Sequence, residues 1–177
     1  MPGKTNYIES ALAEFRTNRA LVSDILETLP EPALHDNHGG ANSIAVLVQH
    51  LHAAHFRRWT DLFTAKPAAV PGDSQKEWKA DRALSKEELA ALNEAGWDLV
   101  LRTLQGFTEA DLDRPAPVRG AEGPLLHAIL YHWSHYSYHL GQIILLAKIA
   151  TRGQWTVAAA KQRNESRALE SAAATAR

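Results

Sequence analysis

The sequence predicts an all-α fold, a four-helix bundle, on three observations. Apolar residues recur at helical spacings of three, four and seven in four separate stretches, and no stretch has a convincing strand pattern. One stretch, Gly123 to Ala147, has no Asp, Glu, Lys or Arg, although such residues make up 22% of the chain. That stretch is as long as a membrane span, but it carries His127, His132, His135, His139, two serines and a glutamine, too polar a content for hydrocarbon. It reads as a helix of a soluble bundle, buried on most of its circumference, with a polar seam of histidines.

The first helix follows from Ile8, Leu12, Phe15, Val22, Ile25, Leu26 and Leu29, and Pro30 and Pro32 end it. Residues 31–41, with Pro32, two glycines, His35, Asp36, Asn37 and His38, read as a loop whose histidines are exposed. The second helix starts at the cap residues Asn42 and Ser43 and runs to about Phe63, with Ile44, Leu47, Val48, Leu51 and Leu62 on one face. Thr64 to Leu84, with Pro67, Pro71 and Gly72, form a long loop of a kind that is often functional. At about 3.3 Å per residue this connection can run back along a helix of about 30 Å, which allows the second and third helices to lie parallel.

The third helix opens on a capping box, Ser85 to Glu88, with Leu84 placed for a hydrophobic staple. Leu89, Leu92, Gly96, Leu99, Val100, Leu104 and Phe107 form its apolar face, and it ends at Gly106. Residues 108–123, with Pro115, Pro117, Gly120 and Gly123, read as a loop with a short turn at Glu109 to Leu112. Pro124 suits the first turn of the fourth helix. Past Lys148 the chain reads as irregular around Gly153 and Trp155. One domain is expected over 1–160, followed by a charged, alanine-rich tail at 161–177 whose last ten or so residues fray.

Composition narrows the chemistry. A net charge of −1 provides no attraction to phosphates or to an anionic membrane, so neither nucleic acid nor membrane is expected as a partner. The absence of cysteine excludes disulfides, thiolate metal sites and a cysteine nucleophile, so any metal must be held by His, Asp or Glu. The first residues have no apolar run of the signal-peptide kind, which sets the expected location as the cytoplasm.

His135 and His139 are four residues apart on a helix, on one face and within reach of one ion. The alternative is a pair of core histidines bonded to backbone or water. The glutamate of a metalloprotease motif is absent, since Tyr136 follows His135, which excludes a zincin. His132 competes as a ligand, and His127 reads as a surface or capping residue. A zinc-type catalytic centre needs a third protein ligand and an open position. The second helix offers His50, His52 and His55; periodicity favours His55, which lies on the face of Ile44, Val48 and Leu51, while His50 sits at its edge.

His135 and His139 followed by Leu140, Gly141, Gln142 and Ile143 on a last bundle helix, with His50 and Leu51 on the second, resemble the DinB/YfiT-like superfamily of metalloenzymes. So do Asn42 to Ala45, Arg58 to Asp61, Glu94 to Trp97 and Ala147 with Lys148, which look like an uncharacterised branch of it, and the resemblance covers roughly residues 7 to 155. It implies an up-down-down-up four-helix bundle with a long crossover from helix two to helix three. It also implies a divalent metal, zinc or nickel, held by His50, His135 and His139, which overrides the periodicity preference for His55. Characterised members include transferases and isomerases that use a low-molecular-weight thiol; this branch has no assigned reaction.

The expected function is therefore metal-dependent chemistry on a small molecule, of thiol-transferase or hydrolase type. Gln142, one turn beyond His139, is placed to bond a ligand or an imidazole from behind the ion. Asp61, Glu94 and Asp98 are available as general bases, though surface charge is their commoner fate. Trp59, Tyr131 and Tyr138 read as core more readily than as a pocket wall, and Arg57 and Arg58 as a solvated face more readily than as contacts for an anionic substrate. The rival expectation is a non-catalytic bundle that binds a small ligand or forms a homodimer through the uncharged helix.

Overall fold

The structure is a computed structural model, and it describes residues 6–60, 62, 83–118 and 121–175. Four long helices form the bundle: α1 (Tyr7–Thr28), α3 (Ile44–Trp59), α4 (Lys86–Gln105) and α5 (Leu125–Ala150). A short helix α2 (Glu31–His35) follows α1, a hairpin of β1 (Pro115–Val118) and β2 (Ala121–Pro124) precedes α5, and α6 (Val157–Thr175) closes the chain. Among the described residues, no helix is long and apolar enough to cross a membrane.

Side-chain pairings fix the helix directions. Arg19 meets Asp98 while Ser23 meets Glu94, so α1 and α4 run antiparallel. His52 bonds Leu92 O while His55 lies against Trp97, so α3 and α4 run parallel. Trp59 bonds Tyr136 while His50 lies against His139, so α3 and α5 run antiparallel. The greater part of the long connection between α3 and α4, residues 63–82, lies outside the described residues.

The helix starts are set locally. Ser43 and Ser85 accept from the backbone N–H of Val46 and Glu88, and the Glu88 carboxylate accepts from Ser85 N at 2.8 Å, completing the expected capping box. Lys86 Nζ donates to the carbonyls of Glu27 and Leu29, placing a cation at the negative end of α1. The start of α5 has no side-chain cap. Instead Leu125 N and Leu126 N donate to the carbonyls of Arg114 and Leu112, in the segment that leads into the hairpin.

At the centre Phe15, fully buried, lies with its ring centroid 5.6–6.2 Å from those of Trp59, Trp97, Trp133 and Tyr136, so one side chain of α1 touches α3, α4 and α5. Beside it α3 and α4 approach closely at Gly96, where an added Cβ would lie 2.5 Å from His55 Nδ1. The glycine is there because no side chain fits.

Several loop expectations are corrected. Residues 31–35 are helical, and His35 is half-buried with Nε2 2.9 Å from Leu84 O, which ties this segment to the start of α4. The second helix ends at Trp59, short of Phe63. Strands occur where none was expected: Ala116 and Val118 point inward and Pro115 and Pro117 outward, and in a two-stranded ribbon a proline can leave its missing N–H on the open edge. Four residues are too few for alternation to stand out in sequence.

The C-terminal segment differs most. Expected to be irregular after Lys148 and frayed at its end, the chain is helical again from Val157 to Thr175. Asp24 of α1, fully buried, accepts from Trp155 Nε1 at 2.8 Å and from Arg163 at 2.7 and 2.8 Å, with Arg167 at 3.4 Å. Despite burial, which opposes ionisation, these donors hold the Asp24 carboxyl below the usual carboxylate range. These bonds to a buried carboxylate dock α6 on α1 in a way alanine propensity cannot.

Candidate metal centre

His50 projects from α3 and His135 and His139 from α5, and they meet where the two helices face each other. One ligand atom from each lies within 4.8 Å of the others, and their exposures are only 6%, 5% and 4%. The i, i+4 spacing on α5 stacks two imidazoles on one face, with centroids 4.7 Å apart, and the antiparallel packing of α3 brings the third to 4.7 Å from His139. His50 Nε2 and His135 Nε2 are 3.3 Å apart. Nitrogens about 2.0–2.1 Å from one tetrahedral ion would be about 3.4 Å apart, so the spacing of this pair matches shared coordination.

Gln142, one turn beyond His139, has Oε1 2.8 Å from His139 Nδ1. Accepting there fixes the proton on Nδ1 and leaves Nε2 as the lone-pair nitrogen. Among the described residues, the group contains no carboxylate. Burial, followed by coupling to His139 and then the Arg58 and Arg57 guanidinium groups, pushes His50 down to about 4; burial, followed by Arg58, pushes His135 down to about 2, and burial likewise lowers His139. All three are neutral at pH 7, the state in which imidazole is a metal ligand.

The other histidines have separate places. His55, favoured by periodicity, faces α4, wedged between Trp97 and Tyr136 at ring distances of 4.5 and 4.6 Å and outside the group. His132 is buried against Trp59 at 4.9 Å, His52 bonds the Leu92 carbonyl, and His127 is exposed. Glu94 and Asp98 are held by Arg19 on the α1–α4 side, and Asp61 lies outside the described residues. Trp59 is core and donates to Tyr136 Oη at 2.7 Å. Tyr138 is not core: it is 54% exposed, with its ring 4.2 Å from His139 and 5.1 Å from His135, and so forms the open rim of the site.

Two contacts of the site were not foreseen. Arg58 is half-buried, not on a solvated face, with Nη1 2.5 Å from His135 Nδ1 and its guanidinium over the Tyr131 ring. Tyr136 is buried below His135, its ionisation pushed up by desolvation. The buried series Leu125, Ala128, His132, Tyr136, His139, Ile143 would have marked Tyr136 as inward-facing. For Arg58 the only local signal is its place just over two turns beyond His50 on the same helix.

Burial of neutral imidazoles predicts how the metal-free protein responds to acid. An unfolded chain binds a proton at each histidine near pH 6.5, whereas burial lowers folded His132 to about 3 and His55 well below 6.5. Between those limits the unfolded state binds more protons, so stability is full above about pH 6.5 and is lost as pH falls. Urea unfolding should show a loss on the order of 3 kcal/mol by pH 4 from His132 alone, and His132→Phe should flatten the slope. A wild-type stability level from pH 7 to 4 would contradict the account.

Comparison with known proteins places this arrangement. The crystal structure of a DinB-like protein from Bacillus cereus ATCC 10987 matches with a TM-score of 0.58 and 18% sequence identity, over 81% of this chain and 92% of that chain. Likeness at that identity speaks for the fold, a DinB-like helical bundle. No curated protein sequence matches the chain. A family model described as "Protein of unknown function (DUF1572)" matches residues 3–164, and the chain therefore belongs to this family.

Proposed function

We propose that the protein is a divalent-metal-dependent enzyme whose His50, His135 and His139 hold one zinc or nickel ion, with transferase or hydrolase chemistry on a small molecule. The observation that carries the reading is the convergence of three buried, neutral imidazoles from two helices with ligand atoms within 4.8 Å of one another. When bound, an ion with three neutral ligands keeps its full charge and supplies Lewis acidity that makes a coordinated water or thiol more acidic. The chain's own residues prepare the site. Burial keeps the imidazoles unprotonated, the α5 helix presets two of them, and Gln142 orients His139 by holding the proton on Nδ1. Tyr138 leaves the solvent side open for a substrate. Because the chain has no cysteine, the thiol of a transferase reaction would arrive as a small co-substrate.

Metal analysis of protein purified without an affinity tag tests this reading. About one ion per chain is expected in the wild type, with near-complete loss in His50→Ala, His135→Ala and His139→Ala and an affinity about 10–100-fold weaker in Gln142→Ala. Equal, near-zero metal in wild type and variants would contradict it.

A second reading, a homodimeric binding bundle, is favoured by one observation. The expected burial of α5 around most of its circumference leaves out a stripe of Leu130, Tyr138, Leu145 and Ile149, exposed by 48%, 54%, 59% and 50%. These residues share a helix face, and a second copy would cover them by an isologous contact. Light scattering should then give twice the chain mass, reduced to a single chain by Leu145→Lys with Leu130→Lys; a monomeric wild type would refute the dimer.

A further inference from the structure

Arg58 reaches from α3 across to α5, with Nη1 2.5 Å from His135 Nδ1 and Cζ 5.3 Å from the centre of the Tyr131 ring. A guanidinium only donates, so in this contact His135 Nδ1 is the acceptor and the ring proton sits on Nε2. That Nε2 faces His50 Nε2 at 3.3 Å. An imidazole that binds an ion through Nε2 carries its proton on Nδ1, which makes Nδ1 a donor as well. Two donors cannot share one hydrogen bond, so Arg58 and an ion compete for His135. Ion binding therefore frees the guanidinium from His135, beside the site. Among the described residues no carboxylate is bonded to it, and the Tyr131 face supports its plane.

We propose that Arg58 sets the specificity of the site, and that the ligand is a small carboxylate whose anionic end docks on the guanidinium released from His135. The inference rests on the metal reading above and adds the substrate class to it. The planar fork of an arginine matches the two oxygens of a carboxylate, whereas lysine provides a point charge without the fork. Tyr138, exposed beside His135 and His139, lines the way in. Arg58, which also bonds the Tyr136 hydroxyl, thus changes one partner between states: His135 in the metal-free site and the ligand in the loaded one.

Cobalt(II)-loaded protein tests this, because its visible absorption reports changes around the ion. Acetate and its neutral counterpart acetamide serve as probes. In Arg58→Gln, cobalt should bind at least as tightly as in the wild type, since the competitor for His135 is gone. Acetate affinity should fall about tenfold to a hundredfold, as expected for loss of a charge-assisted bond, with acetamide binding unchanged. Arg58→Lys should fall between the two, and it carries the comparison if the glutamine variant does not fold. Equal acetate affinity in wild type and both variants overturns the role of Arg58 while leaving the metal reading intact. Weaker cobalt binding in Arg58→Gln overturns the competition. A wild type that takes up no cobalt overturns the metal reading, and this inference with it.

Discussion

Three imidazoles buried at one point between α3 and α5 constrain everything around them. Each is costly to ionise there, and each carries a ring nitrogen that must either find a donor or serve as a lone pair. Cations stand nearby, and both Arg57 and Arg58 contribute to the field that disfavours protonation of His50. Electrostatics and burial therefore act in the same direction. The group stays neutral, and neutral imidazoles are what a divalent ion requires.

Keeping two of these side chains on α5 and one on α3 in register demands a rigid support. Phe15 ties α1 to the aromatic residues of α3, α4 and α5, and the Trp59–Tyr136 bond joins α3 to α5 at the residue between His135 and His139 that directly follows His135. Gly96 lets α4 close on His55 from the other side. At the far end of α1, Asp24 anchors Trp155, Arg163 and Arg167, so α6 braces the bundle away from the site. The mouth is left to Tyr138 and Gln142, on the exposed side of α5.

What the sequence revealed and what it hid divide along a physical line. The capping box at Ser85 and Glu88, the helical periodicities and the i, i+4 pair His135 and His139 depend on neighbours a few residues away, and they were legible. Which histidine of α3 joins that pair was not. Periodicity pointed to His55, and His55 is indeed deeply buried, but against α4; a hydrophobic face shows that a residue points inward and not which neighbour it meets. His50 came from family resemblance, and the structure brings it to His135 and His139. Arg58 was misread for a related reason, because charge suggests solvent while its long stem lets the guanidinium cross to another helix. Helix α6 was missed because its anchor, Asp24, lies more than a hundred residues earlier. The hairpin was missed because its strands are short and half proline on one side.

X-ray absorption at the edge of the metal carried by untagged protein addresses the central claim most directly. The account predicts a first shell of nitrogen at about 2.0–2.1 Å for zinc, with the outer scattering of three imidazoles and room for one further light atom. A shell of oxygen without imidazole scattering, or no metal in the protein at all, would contradict it.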